Sequence, residues 1–577
     1  MKQINNIIHI AKIFLVIIVF FITTSHLYAS QPKNSEKYAA GMNLNGIADW
    51  STEFPFLDLM KQARPWVAQS KDSKKWGAGG NLNLDDNGWI KKLQHNQYAD
   101  TIFISAKQKL PYTKFTVIFD GEGLIKYSGL ASLISIKKPN VHLIKVKNNV
   151  KGYAILSIRK TNPNNYIRNI KIIPTRYMDR FKQGQFFNPE WISFIKRFQV
   201  LRYMDWMKTN NSTQQKWKDR PHVTDYTWTI KGVPIEAMIE LSNHLSSDPW
   251  FNIPHNADYE YIENFALLVK KRLDKNLRIY VEHSNEVWNW MFKQTHFAQS
   301  SAYTEWGEQG DHYLQWHGMK TSKICSLWKT IFGNESNRVI CVLGVHPGSI
   351  YHAKSALKCE SWVRDGNMPC YKNIDAIAIT GYFTGCIDGH VRKNEEWKIR
   401  KVQSWLKNMN KAMEKAYKQT LEGKIFSCNR TLVSLKENYN NFRKLADQYN
   451  LHLFVYEGGQ HITANGSPYQ DDKNFIEFHI KFNRSEYMYK LTKANFENWK
   501  SSNGELFVYF NDITPPSKYG SWGSMDHLRD YASPKIRAIN DFFSITKCWW
   551  KLCSNVGFSN NHVPSENNPP SKPPLSK

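Results

Sequence analysis

Two glutamates close apolar runs in positions where they could do chemistry. One run ends Tyr280-Val281-Glu282-His283-Ser284-Asn285-Glu286-Val287-Trp288-Asn289, the other Phe454-Val455-Tyr456-Glu457-Gly458-Gly459-Gln460-His461. Short apolar runs of this kind read as buried strands, so Glu286 and Glu457 stand where each strand leaves the core. Two carboxyls at one mouth are the equipment for retaining hydrolysis of a glycosidic bond. One protonates the leaving oxygen and the other attacks the anomeric carbon, at a separation of about 5–5.5 Å. Either residue alone reads as a solvated loop carboxylate; the pairing carries the argument. Glu282 is a rival four residues before Glu286, and Glu286 is preferred because Asn285 precedes it and Trp288 follows.

Other groups fall at the same strand ends. Arg202 sits in Leu201-Arg202-Tyr203-Met204-Asp205-Trp206, where a structural pairing with Asp205 competes with a role at the site. Asp49-Trp50, Trp206, Trp288, Trp290 and Trp522 each follow an expected strand end. The chain carries 21 Trp, 28 Tyr and 31 Phe, more large rings than a core requires, and such rings stack on the apolar faces of pyranoses. His255, His283, His346 and His461 also lie near strand ends, but lack the i, i+4 pairing of metallohydrolase helices. A metal-free site without a cofactor is expected.

The elements that position these residues can be counted. Helix 189–198 leads to strand 200–203, helix 235–245 to 250–253, and helix 259–273 to 278–282. A long helical region reaching 331 leads to strand 339–343, and strand 376–379 follows a loop with two cysteines. Helix 435–449 feeds strand 451–456, helix 475–499 feeds 506–510, and a last helix covers 535–543. With an opening strand near Met42, this makes the eight βα units of a (β/α)8 TIM barrel, an α/β fold whose functional groups gather at the carboxyl ends of the strands. A doubly wound open sheet is the alternative, but no Gly-rich phosphate turn follows the first strand. Residues 100–173 differ in character. Their apolar runs, separated by Gly, Asn, Pro and Lys turns, read as an antiparallel β-domain inserted between strands one and two. The expected organisation is a signal peptide at 1–29, a barrel at 30–99 and 174–547, the insertion at 100–173, and a disordered tail at 557–577 rich in Pro, Asn and Ser.

Within 1–29 the only charges are Lys2 and Lys12, followed by the apolar run 13–23 and Leu27-Tyr28-Ala29. That is the form of a cleavable secretory signal, with a run too short to span a bilayer. A secreted or periplasmic protein without stable membrane insertion is expected. All eight cysteines lie at or after Cys325; an even number in an exported chain suggests disulfides, and Cys359 with Cys370 and Cys548 with Cys553 could each staple a local loop. The formal charge of +27 comes from 77 Lys+Arg against 50 Asp+Glu. The basic residues are scattered over expected helix faces, as in 392–421, rather than gathered in a stripe, so nucleic acid is not the expected partner.

Asn285-Glu286 and Glu457 resemble, in type, order and strand number, the catalytic pair of the large clan of retaining glycoside hydrolases on (β/α)8 barrels. That clan places its acid/base Glu after an Asn at the end of strand four and its nucleophile Glu at the end of strand seven. More closely, GMNLNGIADWSTEFPF, DPWFNIPH, YVEHSNEVWN, VYEGGQH and YFND are similar to segments of secreted bacterial proteins labelled cellulose-binding, over about residues 40 to 545. The resemblance implies Glu286 as acid/base, Glu457 as nucleophile, Asn285 on the sugar 2-hydroxyl, and Arg202 and Tyr382 as partners of the nucleophile. The chain carries Thr380 where the clan often has His, and Phe510-Asn511-Asp512 where a Trp commonly ends strand eight, with Trp522 further along. The leading expectation is a secreted hydrolase of a β-linked polysaccharide, with Asp49, Trp50, Trp206, Trp288, His461 and Trp522 near its substrate. The alternative is a noncatalytic carbohydrate-binding protein on a degenerate barrel of the same kind.

Overall fold

Eight parallel strands close into a barrel in the computed structural model, which describes residues 37–106, 109–307 and 310–553. The expected signal peptide and tail lie outside the described residues. The barrel opens with β1 (Tyr38–Asn43). The inserted strands follow: β2 (Val67–Ser70), β3 (Asn83–Leu84), β4 (Ile90–Lys92), β5 (Gln97–Ala106), β6 (Lys114–Asp120), β7 (Gly123–Gly129), β8 (Ala131–Lys138), β9 (Val141–Val146), β10 (Gly152–Thr161) and β11 (Arg168–Pro174). The barrel resumes with β12 (Phe198–Arg202), β13 (Asp248–Ile253), β14 (Ile279–His283), β15 (Val339–Gly344), β16 (Ala376–Phe383), β17 (His452–Gln460) and β18 (Phe507–Tyr509). The ring closes where β1 pairs in parallel with both β12 and β18. The α/β barrel with an antiparallel insertion between its first two strands is therefore the fold.

Strands buried on both faces need apolar residues at nearly every position, which is why these segments read as short runs. Alternate residues point inward. Val200, Trp250, Tyr280, Val342, Ala378, Phe454 and Val508 fill the barrel interior, while Leu201, Phe251, Val281 and Leu343 pack outward against the helices. The helix Tyr259–Arg272 shows how local signals agree with that packing. Asp258 caps it by accepting from the Tyr261 N–H at 2.8 Å, Tyr261, Phe265 and Val269 bury one face, and Lys270, Lys271 and Arg272 sit at its negative end. The stretch 392–421 is two helices rather than one, Glu396–Trp405 and Met409–Glu422, because Asn408 caps the second by accepting from the Lys411 N–H at 3.1 Å.

The insertion begins earlier than the expected boundary at 100. Strand β2 already pairs antiparallel with β5, so the insertion reaches back to Val67 and the first barrel segment is correspondingly shorter. The early strands were hidden because β2, β3 and β4 have only 4, 2 and 3 residues, and β3 is exposed throughout. Two four-stranded sheets, in the orders β2-β5-β10-β7 and β11-β6-β9-β8, enclose a core that includes Phe103, Val117, Leu156 and Ile172.

Disulfides join Cys359 to Cys370, Cys386 to Cys428 and Cys548 to Cys553. Cys325 and Cys341 are buried thiols. Among the described residues no helix is long and apolar enough to cross a membrane.

Candidate active site

The inward-facing alternation of the barrel strands ends, at the carboxyl side, in polar residues. Because Val200, Trp250 and Tyr280 point inward, so do Arg202, Asn252 and Glu282 two residues later. Arg202 is wholly buried and each arm of its guanidinium is used. Its Nη1 donates to Glu457 Oε1 at 2.8 Å and to Asn43 Oδ1 at 3.1 Å. Its Nη2 donates to Glu282 Oε2 at 2.8 Å and to Asn285 Oδ1 at 2.9 Å, and its Nε reaches Glu282 Oε2 at 3.2 Å. A planar fork of donors suits this kind of bridging. Glu282 is held in turn by Trp250 Nε1 at 2.8 Å and Asn252 Nδ2 at 2.7 Å. Glu282 is thus the strut under Arg202, and it takes the pairing that sequence reasoning offered to Asp205.

Strict alternation would turn Glu457 outward, since Tyr456 faces in. A β-bulge changes this. On β16 Ile379 and Thr380 are consecutive, yet they face Val455 and Glu457 on β17, leaving Tyr456 as the extra residue. The pairing with β18 shows the same slip between Val455 and Gly458. A bulge of this kind re-aims a side chain beside the site, so Tyr456 and Glu457 both serve the mouth. Tyr382, in phase with inward Ala376 and Ala378 on β16, donates its hydroxyl to Glu457 Oε2 at 3.0 Å.

Glu286 reaches the mouth by a different route. Past β14 the chain curls through two non-glycine residues in the left-handed region, Ser284 at φ 60° and Glu286 at φ 43°. Such conformations cost energy and persist where surrounding contacts hold them. Here Asn285 is locked between Arg202 and Asn210, donating to the latter's Oδ1 at 3.1 Å. Glu286 Oε1 accepts from the Tyr456 hydroxyl at 3.2 Å, and Oε2 accepts from Asn289 Nδ2 at 2.8 Å. The turn placing Asn289 is closed by its own N–H on the Glu286 carbonyl at 2.8 Å.

The two carboxyls therefore sit in different fields. Burial, reinforced by the negative charge of Glu457, pushes Glu286 up to about 8; its hydrogen-bonding partners are neutral. Burial raises Glu457 too, but the charge and hydrogen bond of Arg202 and the hydroxyl of Tyr382 pull it back toward the ionised form. Burial disfavours the charge of Arg202, and Glu282 and Glu457 overcome it, holding the guanidinium above its ordinary value. Asp205 is pushed up to about 7 by burial, with Glu457 adding to it. Burial lowers His461 to about 4, leaving a neutral ring. Among the described residues no group of three or more His, Cys, Asp or Glu side chains is placed to hold a metal.

Known proteins can be set beside this geometry. No family model matches the chain, and no curated protein does. Among solved structures, an endo-1,4-β-D-xylanase of Clostridium thermocellum complexed with xylohexaose aligns with 85% of this chain and 96% of its own, at 9% identity and a TM-score of 0.33. A Bacteroides ovatus xyloglucanase in complex with a XXXG heptasaccharide covers 78% of this chain and 96% of its own, at 9% identity and a TM-score of 0.34. A broad-specificity endoglucanase of Clostridium cellulovorans covers 61% and 85%, at 12% identity and a TM-score of 0.32.

The remaining expected residues divide. Trp522 returns to the end of β18, where its carbonyl accepts from the Asn511 N–H at 3.1 Å. Its ring lies 5.8 Å from Phe510, 6.1 Å from Tyr382 and 4.8 Å from His461. A tryptophan twelve residues past Phe510 thus stands beside the partner of Glu457. Trp288 is half-buried and packs edge-on to His346 at 4.7 Å. Two residues are corrected. Trp206 is only 1% exposed and stacks on Trp191 at 5.8 Å, so it is core and has no face for a sugar. Asp49 is buried and bound to Arg64 Nε at 2.6 Å, so it acts as an anchor; Trp50 beside it is exposed. Tyr456 and Asn289, the donors to Glu286, lie outside the residues that strand ends mark. Tyr456 had no sequence signal because it depends on the bulge. Asn289, three residues after Glu286, was available as a turn partner.

Proposed function

We propose that this protein is a secreted retaining glycoside hydrolase acting on a β-linked polysaccharide, with Glu286 as general acid/base and Glu457 as nucleophile. The observation that carries this reading is the unequal wiring of the two carboxyls: Glu457 has Arg202 at 2.8 Å, while Glu286 is raised to about 8 with only neutral hydrogen-bonding partners. Arg202 and Tyr382 favour the ionised form of Glu457 while burial and the charge of Glu457 favour the protonated form of Glu286, the division that a double displacement requires.

In the first step a Glu457 oxygen attacks the anomeric carbon as the glycosidic bond breaks, and Glu286 gives its proton to the departing oxygen. The Glu286 carboxylate then takes a proton from water, whose oxygen displaces Glu457 and regenerates the free sugar. Arg202 and Tyr382 orient Glu457 and stabilise its charge when it leaves. Asn285 spends one amide N–H on Asn210 and has a second for the sugar 2-hydroxyl. Tyr382, Phe510, His461 and Trp522 form an aromatic wall suited to a pyranose face. Three disulfides fit an oxidising compartment, in keeping with cleavage of a signal at 1–29.

The test is a 2-deoxy-2-fluoroglycoside panel with mass spectrometry of the digest, after the protein has been screened for sugar release on β-glucans, xylans and mannans. An adduct on the peptide containing Glu457 is expected, and the first sugar released should keep its anomeric configuration. Binding to these polymers without adduct or released sugar would replace the hydrolase with the noncatalytic carbohydrate-binding protein.

A further inference from the structure

A second cleft lies where the insertion meets the barrel. Of about 820 Å3, it is walled by Trp50 and Thr52 from the loop after β1, by Pro515, Asp526 and Asp530 among residues after β18, and by Lys109, Lys151 and Tyr153 from the insertion. Both barrel loops leave the carboxyl ends of their strands, so the cleft opens on the same face as Glu286 and Glu457. None of those carboxyls lines it.

The walls are tied together before any ligand arrives. The Thr52 hydroxyl donates to the Asp526 carbonyl at 2.9 Å, and the Ser105 N–H donates to the Asp49 carbonyl at 2.8 Å. Two large rings are left uncovered: Trp50 is 56% and Tyr153 50% exposed. Arg64 braces both, at 5.7 Å from the first ring and 5.5 Å from the second, and is itself fixed by buried Asp49. Rings held this way present a face at little further entropic cost.

The charges are unevenly matched. Arg484 is satisfied by Asp530 at 2.5 Å and Asp526 at 3.3 Å. Among the described residues Lys109 and Lys151, both exposed, have no ion-pair partner. The cleft thus offers two apolar ring faces, two free cations on one side, and on the other the Asp526 and Asp530 carboxylates, neutralised by Arg484 and able to accept hydroxyl hydrogens.

We propose that this cleft binds a uronate-bearing polysaccharide segment, with Trp50 and Tyr153 taking pyranose faces and Lys109 and Lys151 taking the carboxylates. The proposal concerns binding away from the catalytic pair and stands whether or not the barrel hydrolyses its ligand. It is tested by calorimetry on the Glu457→Gln and Glu286→Gln proteins, where turnover does not confuse binding. The probes are polygalacturonate, glucuronoxylan and carboxymethyl-cellulose against methyl-esterified pectin, arabinoxylan and hydroxyethyl-cellulose, with oligothymidylate as competitor. At least one acidic polymer should bind about tenfold or more tighter than its neutral counterpart, a difference of about 1.4 kcal/mol. Trp50→Ala should weaken that binding about tenfold, and Lys109→Glu with Lys151→Glu should erase the acidic preference; all three side chains are exposed, so the core is untouched. No acidic preference, acidic binding that survives both changes, or displacement by oligothymidylate would overturn it.

Discussion

The Glu457 corner and the Glu286 corner of the barrel mouth are built to opposite rules. Glu457 comes from inside a strand and is fixed by a cation that is itself fixed by Glu282, Asn43 and Asn285. Glu286 comes from a left-handed loop and is held only by neutral donors. Two chemically identical side chains are thereby separated in proton affinity by the placement of one arginine. Burial acts on both, and the charge of Arg202 reaches both, but only Glu457 also takes its hydrogen bond, and for Glu286 that charge is the weakest of the influences.

The comparison breaks most sharply at Glu457. Glu457→Gln keeps the hydrogen-bonding shape but removes the nucleophile, and kcat should fall by roughly three orders of magnitude or more on every substrate. If activity survives on all of them, Glu457 is not the attacking group. Glu286→Gln should cost roughly 10²- to 10⁴-fold on natural linkages. The loss should shrink greatly on aryl glycosides whose leaving group needs no proton, and the alkaline limb of kcat/KM near pH 8 should disappear. Equal losses on both substrate classes would deny Glu286 the acid role. Tyr382→Phe removes a hydrogen bond to a charged acceptor, worth about 1.5–3 kcal/mol, so kcat/KM should drop roughly ten- to a hundredfold.

The smallest effect is on stability. A carboxyl raised to about 8 in the folded protein binds more protons there than in the unfolded chain between its ordinary value and 8. Folding stability therefore falls as pH rises through that window. Glu286→Gln abolishes the dependence. Its Tm should match the parent at pH 4 and exceed it by roughly 2–4 °C at pH 9; a parent Tm that climbs relative to the variant over this range would contradict the assigned shift.

Much of this was legible because a parallel barrel writes its strands as short apolar runs with the polar residue that matters at the end. All eight barrel strands fall where the runs are. That Glu286, Glu457 and Arg202 gather at one mouth follows from their positions after apolar runs, while the roles expected of them come from the resemblance to the hydrolase clan. What the sequence concealed has specific causes. The role of Glu282 required knowing that it shares a face with Tyr280 and meets Arg202 across the interior. The inward aim of Glu457 depends on a bulge, which leaves no mark in composition. Trp206 and Asp49 follow strand ends as Trp522 does, but aromatic packing and an arginine claimed them. The boundary at 100 failed because strands of two to four residues carry too few apolar positions to form a pattern. Cys386–Cys428 spans 42 residues and gave no local hint of pairing.

The insertion between β1 and β12 has a kinetic side. Strand β1 leaves the ribosome first, but its neighbours are β12, across the whole insertion, and β18, near the other end of the chain, with Asn43 facing Arg202 and Gly41 facing Val508. Pairings of such sequence separation are slow to form. The ring can close only after the last strand has been made, so Asn43, Arg202 and Glu457 are united late. The two carboxyl corners of the mouth are thus completed only after nearly the whole chain is available to fold.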